Sequence, residues 1–155
     1  MNRTVRSVPQ IALALSLLAA PAVAQRSHIG VHAGYDFDTD DAVVGGRVSL
    51  PLSRYVELYP SVDVYLVSTG SLVGLSGDLK YRLAPRARPE LYLGGGVNVL
   101  RSSAGGATAT DTGWDLFGGV ESRLGYTHPY VEGRGRFHGD RSAFQLNAGL
   151  NITLF

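Results

Sequence analysis

Residues 144–155 alternate without a break. Phe144, Leu146, Ala148, Leu150, Ile152 and Leu154 share one parity, and Gln145, Asn147, Gly149, Asn151 and Thr153 share the other. Successive side chains of a strand point to opposite faces, so a strict period of two means a strand with one oily face and one polar face. The sequence then stops at Phe155.

The other end reads differently. Arg3 and Arg6 make a positive start, residues 11–20 are uncharged and apolar, Pro21 interrupts the run, and Ala22-Val23-Ala24 has the form of a cleavage site. This pattern predicts a secretory signal peptide over 1–24, with Gln25 first in the exported chain. A spanning helix would need about 20 apolar residues, which this run lacks. Removing 24 of 155 residues leaves 131, the size of one domain over 25–155, with 12 basic against 13 acidic residues. No basic excess points to nucleic acid. There is no cysteine, which excludes thiol chemistry, cysteine-ligated metal sites and disulfides.

Between these ends no helical period appears. Seven more alternating segments precede the last one, over 28–37, 43–52, 55–66, 72–83, 90–100, 113–124 and 129–138. About ten residues suits a tilted strand crossing a bilayer. An exported chain closing on a two-faced strand reads as an outer-membrane β-barrel. The expected fold is therefore all-β, a closed eight-stranded antiparallel up-and-down transmembrane barrel behind a cleavable signal peptide. Two places strain the pattern. Pro60 lies inside the third segment and predicts a bulge or a later strand start, because a closed barrel has no free edge to tolerate a missing donor. Around Phe117 both parities are apolar.

The connections fall into two sets. Residues 51–54, 84–89 and 125–128 form one, predicted to face the periplasm. Residues 38–41, 67–71, 101–112 and 139–142 form the other, predicted to lie outside the cell. The stretch 101–112 is rich in Ser, Gly, Ala and Thr and predicts a flexible loop.

Alternation alone does not say which face points outward, since a soluble barrel has the same period. The placement of aromatic and charged residues favours oil on the outside. Tyr35, Phe37, Tyr81, Trp114, Phe137 and Phe144 lie near segment ends on the apolar parity, where a membrane belt puts its interfacial aromatics. The polar parity carries charges in mid-strand, and they nearly balance. The acids are Glu57, Asp63, Asp78, Glu121 and Glu132; the bases are Arg47, Lys80, Arg82, Arg123, Arg134 and Arg136. A narrow lumen needs such balance, because desolvating an unpaired ion costs several kcal/mol.

With these segments, Gly45-Gly46-Arg47, Asp78-Leu79-Lys80-Tyr81-Arg82, Leu93-Gly94-Gly95-Gly96-Val97 and the terminal Phe155, the chain resembles the small eight-stranded outer-membrane barrels of the OmpA, OmpX and opacity-protein superfamily. The resemblance implies a plugged lumen, outer-membrane lipid as the surrounding medium, and Phe155 as the signal read by the barrel-assembly machinery. A monomer without cofactor is expected.

Three functions are compatible with this reading. The first is a structural or surface-interaction barrel with a filled, charge-paired lumen. The second is a small porin-like channel, with Gly94, Gly96, Ser61, Ser76 and Asn98 leaving space inside. The third is a barrel enzyme acting on lipid A, with His138, Asp140 and Ser142 near one rim as its only candidate constellation. A solvated loop is the plainer account of those three, and no enzymatic activity is expected. His28 and His32 share one inward face, but four residues along a strand is about 13 Å, too far to share a metal ion. Asp36, Asp38, Asp40 and Asp41 could attract calcium but lack the glycine and bidentate glutamate of a calcium loop. Arg101 and Arg141 could meet lipid phosphates, and Arg54, Arg86 and Arg88 fall on the opposite turns.

Overall fold

A computed structural model describes residues 26–154; the predicted signal peptide and Phe155 lie outside the described residues. The elements are β1 (His28–Asp36), β2 (Asp41–Pro51), β3 (Val56–Leu58), β4 (Ser61–Tyr65), β5 (Ser71–Arg82), β6 (Glu90–Ala104), β7 (Ala107–Glu121), β8 (Thr127–His138) and β9 (Arg141–Thr153). Every neighbouring pair is antiparallel, and β9 pairs with β1 from His28↔Thr153 to Asp36↔Gln145, which closes the sheet. Since β3 and β4 are two halves of one stave, the barrel has eight strands.

Pro60 separates β3 from β4 without a bulge; of the two outcomes expected from sequence, the strand starts again after the proline, at Ser61. The pairing Arg47↔Ser61 on one side of the gap and Leu50↔Leu58 on the other keep a single register, as do Ser61↔Ser76 and Leu58↔Leu79 on the β5 side. A bulge would insert a residue and shift one of these ladders. Instead the Val48 amide still donates to the Pro60 carbonyl at 3.0 Å, and Tyr59 donates to Asp78 at 2.8 Å. Proline withholds one bond while the surrounding ladder carries the strand through.

The predicted loop over 101–112 is also corrected. β6 and β7 continue their ladder to Ala104↔Ala107 around a two-residue turn, Gly105-Gly106. Both glycines have positive φ, 58° and 84°, which the right-handed twist of a tight hairpin demands. Thr108, Thr110 and Thr112 suit an extended backbone, so the small-residue composition belongs to a hairpin arm. Turn length therefore does not distinguish the two rims. We call apical the rim with turns 37–40, 66–70, 105–106 and 139–140, and basal the rim with turns 52–55, 83–89 and 122–126.

The barrel's stagger follows from its registers. Asp36 faces Gln145, which faces Arg134, then Phe117, Gly94, Lys80, Glu57 and Pro51. The β1–β2 register sets Pro51 opposite position 26, ten residues before the start. This shear tilts the strands steeply and leaves a bore that side chains can fill.

The faces are sorted as oil outside and ions inside. Val31, Leu75, Leu79, Leu93, Leu116 and Val131 are each about half exposed on the outer surface. Outward residues run from Val73 on β5 to Leu83 just past its end, where Leu83 still donates to Leu91, and ten residues at about 3.3 Å with a tilt of about 40° span about 25 Å, the height of an outer-membrane apolar band. A soluble barrel would bury these residues and solvate its charges; this one does the reverse.

Candidate functional site: the barrel interior

Inward positions alternate with outward-facing ones on every stave, so each strand contributes alternate side chains to one narrow interior. At its centre Arg134 of β8, 1 % exposed, holds three carboxylates. Its Nη1 donates to Asp78 and Asp115, both at 2.7 Å, and its Nη2 lies 3.2 Å from Glu132. Glu132 also accepts from Arg47 at 3.0 Å and from the Tyr92 hydroxyl at 3.1 Å. Arg47 donates to the Tyr59 hydroxyl at 2.6 Å.

A second cluster lies toward the basal rim. Lys80 reaches Glu121 at 2.8 Å and Glu57 at 3.6 Å. Glu57 accepts from Ser49 at 2.6 Å and lies 3.5 Å from Arg82. Arg82 donates to Glu90 at 2.7 Å, and Arg123, more exposed than the rest, lies 3.2 Å from Glu90. Toward the apical rim Asp63 is shared between Arg136 and His32, the latter at 2.7 Å. All eleven charged positions read from the sequence thus lie in these ion pairs.

The interior holds acids beyond that balanced pool. Glu90 and Asp115 are each 1 % exposed, and Asp36 is 2 % exposed. Glu90 opens its strand, where a segment boundary hides it. Asp36 is satisfied by backbone, accepting from the amides of Asp38 at 3.0 Å and Thr39 at 3.1 Å, so the acidic run at the first turn is a turn cap. Among the described residues no group of three or more metal-ligating side chains is assembled. His28 lies against His128, ring centroids 4.7 Å apart, and His128 in turn meets Glu121 at 3.0 Å.

Aromatic rings fill the space between the ions, a role sequence reasoning missed. Tyr59 and Phe117 stack at 5.8 Å, and Tyr92 meets Phe117 edge-on at 6.3 Å. The cations lie over their faces: Lys80 over Tyr92 at 4.2 Å, Arg47 over Tyr130 at 4.3 Å, Arg134 over Phe117 at 4.5 Å and Arg136 over Tyr65 at 5.5 Å. Such contacts gain strength when desolvated. The signal was available, since Tyr59, Tyr65, Tyr92 and Tyr130 occupy the polar parity of their segments, where a large ring in a narrow bore has no solvent to reach.

Glycines opposite these rings make the room. Phe117 pairs directly with Gly94, Tyr92 with Gly119, and Tyr130 with Gly149. A Cβ at Gly94 would collide with the Phe117 ring, at Gly119 with the Tyr92 ring, and at Gly149 with the Tyr130 ring. The space that Gly94 was expected to leave open is thus occupied by Phe117. Above and below this layer the bore widens into an apical cavity of about 310 Å³ and a basal one of about 590 Å³.

The outward aromatics form two groups. Phe37 packs against Tyr35 and Phe144, and Trp114 stacks on Phe137 at 4.1 Å, all toward the apical rim. Tyr81 stacks on Tyr55 at 6.1 Å toward the basal rim, with Tyr126 exposed nearby. Of the candidate catalytic set, His138 is buried on the inward face with its Nε2 making no hydrogen bond, while Ser142 is exposed and lies opposite Phe137. Arg141 pairs with Asp111 at 2.9 Å in solvent.

No protein-family model and no curated protein matches the chain. Solved structures do. The N-terminal β-barrel domain of Pseudomonas aeruginosa OprF is similar with a TM-score of 0.71 at 17 % identity, covering 83 % of this chain and 97 % of that one. Neisserial surface protein A is similar at 0.65 and 13 % identity, covering 83 % and 96 %. Ail, the attachment invasion locus protein of Yersinia pestis, is similar at 0.57 and 11 % identity, covering 83 % and 97 %. The chain has the fold of the small eight-stranded outer-membrane β-barrels.

Proposed function

We propose that the chain is an outer-membrane protein whose lumen is plugged by its own side chains and whose role is structural or surface-interacting, with no enzymatic activity. The observation that carries this reading is the central layer of Tyr59, Phe117 and Tyr92 interleaved with Arg47, Lys80 and Arg134, all nearly solvent-free. The ions hold one another and cannot leave without exposing partners in a low-dielectric interior. The two aromatic groups would sit at the membrane interfaces, outer-membrane lipid would surround the apolar band, and the barrel-assembly machinery would insert the chain as a monomer. Two of the similar proteins are named as a surface protein and an attachment invasion locus protein, which supports this role. A porin-like channel is the alternative. Refolded protein in a planar bilayer should show no stable conductance; steady single-channel steps would instead establish the channel.

A further inference from the structure

We propose that the basal mouth is a binding site for a small polyanion, a ligand carrying two or more phosphate or carboxylate groups. The site lies on the basal side of the central aromatic layer and shares Arg82, Arg123 and Glu57 with the basal ion-pair cluster. Its cavity of about 590 Å³ is lined by Arg26, Arg54, Arg82, Arg86, Arg88 and Arg123, with His28 and His128 on its inner side and Glu57 as the carboxylate in the lining. Arg82 and Arg123 are fixed from behind by Glu90. Arg86 and Arg88, from the turn between β5 and β6, have no carboxylate within ion-pairing distance among the described residues.

The positive charge is segregated. The apical rim carries Asp38, Asp40, Asp41, Asp111 and Asp140 against Arg101 and Arg141. The whole sequence nets only +1, so the two mouths of a nearly neutral chain have opposite sign. A surface evolved for solubility alone intersperses the signs. A concave mouth of one sign, walled by a low-dielectric barrel, focuses its field into the opening. Guanidinium forks from several turns then meet the planar oxygens of phosphate or carboxylate two at a time, which a lone lysine cannot do.

The test uses the full barrel refolded in zwitterionic micelles, with pyrophosphate titrated by calorimetry at low salt. Wild type should bind it saturably, one per barrel, and lose it as salt rises. Arg86→Glu with Arg88→Glu, both exposed on a turn, should weaken binding about tenfold or more, and the milder Arg86→Gln with Arg88→Gln should weaken it less. Arg101→Glu on the apical rim should leave it unchanged. Folding of each variant is certified by its gel shift on boiling. A second arm adds cardiolipin, whose headgroup carries two phosphates, to the micelles: saturable binding of cardiolipin but not of pyrophosphate, with the same dependence on Arg86 and Arg88, identifies a lipid headgroup as the source of the phosphates. The proposal is overturned if neither probe binds saturably, if the double variants bind as wild type does, or if Arg101→Glu loses as much as they do.

Discussion

The ring of Phe117 on β7 occupies the volume that a side chain at Gly94, its direct partner on β6, would need. Because the ring is hemmed by Tyr59 and Tyr92, it has little freedom to withdraw. Gly94→Ala should therefore destabilise the refolded barrel by about 1–3 kcal/mol through overpacking. Gly77, on the outer face of β5, has nothing within 4 Å of an added methyl, so Gly77→Ala should stay within about 0.5 kcal/mol of wild type. Urea unfolding in micelles compares the two; equal losses would show that the ring is not held where the structure puts it.

Arg134 is the counter-ion of Asp78, Asp115 and Glu132 together. Arg134→Met keeps much of the bulk and strands Asp78 and Asp115, while Glu132 keeps Arg47. We expect a loss of about 3–5 kcal/mol, as for other broken buried pairs. Adding Asp78→Asn and Asp115→Asn removes both stranded charges and should recover a substantial part of that loss. Measuring the two variants by denaturant midpoint separates charge from volume, since a pure packing effect would not be relieved by the asparagines.

Removing the central rings should open the bore. Phe117→Ala leaves a void beside Gly94, and with Tyr59→Ala and Tyr92→Ala the layer between the two cavities loses its rings. The single variant should cost about 3 kcal/mol. The triple variant, if refolded, should conduct in a planar bilayer where wild type does not; a silent triple variant would mean that the ions alone close the lumen.

Leu79 lies on the outer face of β5 and is 51 % exposed. In lipid, Leu79→Arg should cost about 2 kcal/mol, measured by folding into bilayers. A neutral effect would place that face in water.

Much of this architecture is legible in the sequence because parity is a local property. Each strand's side chains alternate whatever their neighbours are, so Arg47, Glu132 and Leu116 can be assigned to their faces one strand at a time. Which charges meet is not local. Arg134 reaches Asp78, 56 positions away, only because the shear of the closed sheet brings β5 and β8 across the bore. Glu90 escaped the count of lumen acids because strand ends are hard to place, whereas Asp115 lies inside β7 on the polar parity and was legible. Tyr59, Tyr92 and Phe117 have no single-residue signature as a plug; register sets Tyr92 and Phe117 opposite glycines, and Tyr59 meets Phe117 only across the bore. At residues 101–112 small polar residues read as loop, yet Gly105-Gly106 makes a tight hairpin and the threonines extend it.

A closed barrel with oil outside and paired ions inside resists detergent until it is heated. Heat modifiability of the protein in purified envelopes therefore tests the membrane-barrel reading. Unboiled samples on a detergent gel should run as a compact band, and boiling should shift that band to the mobility of the unfolded chain. A protein that runs at one position with or without boiling, and fractionates with the soluble periplasm, would contradict that reading.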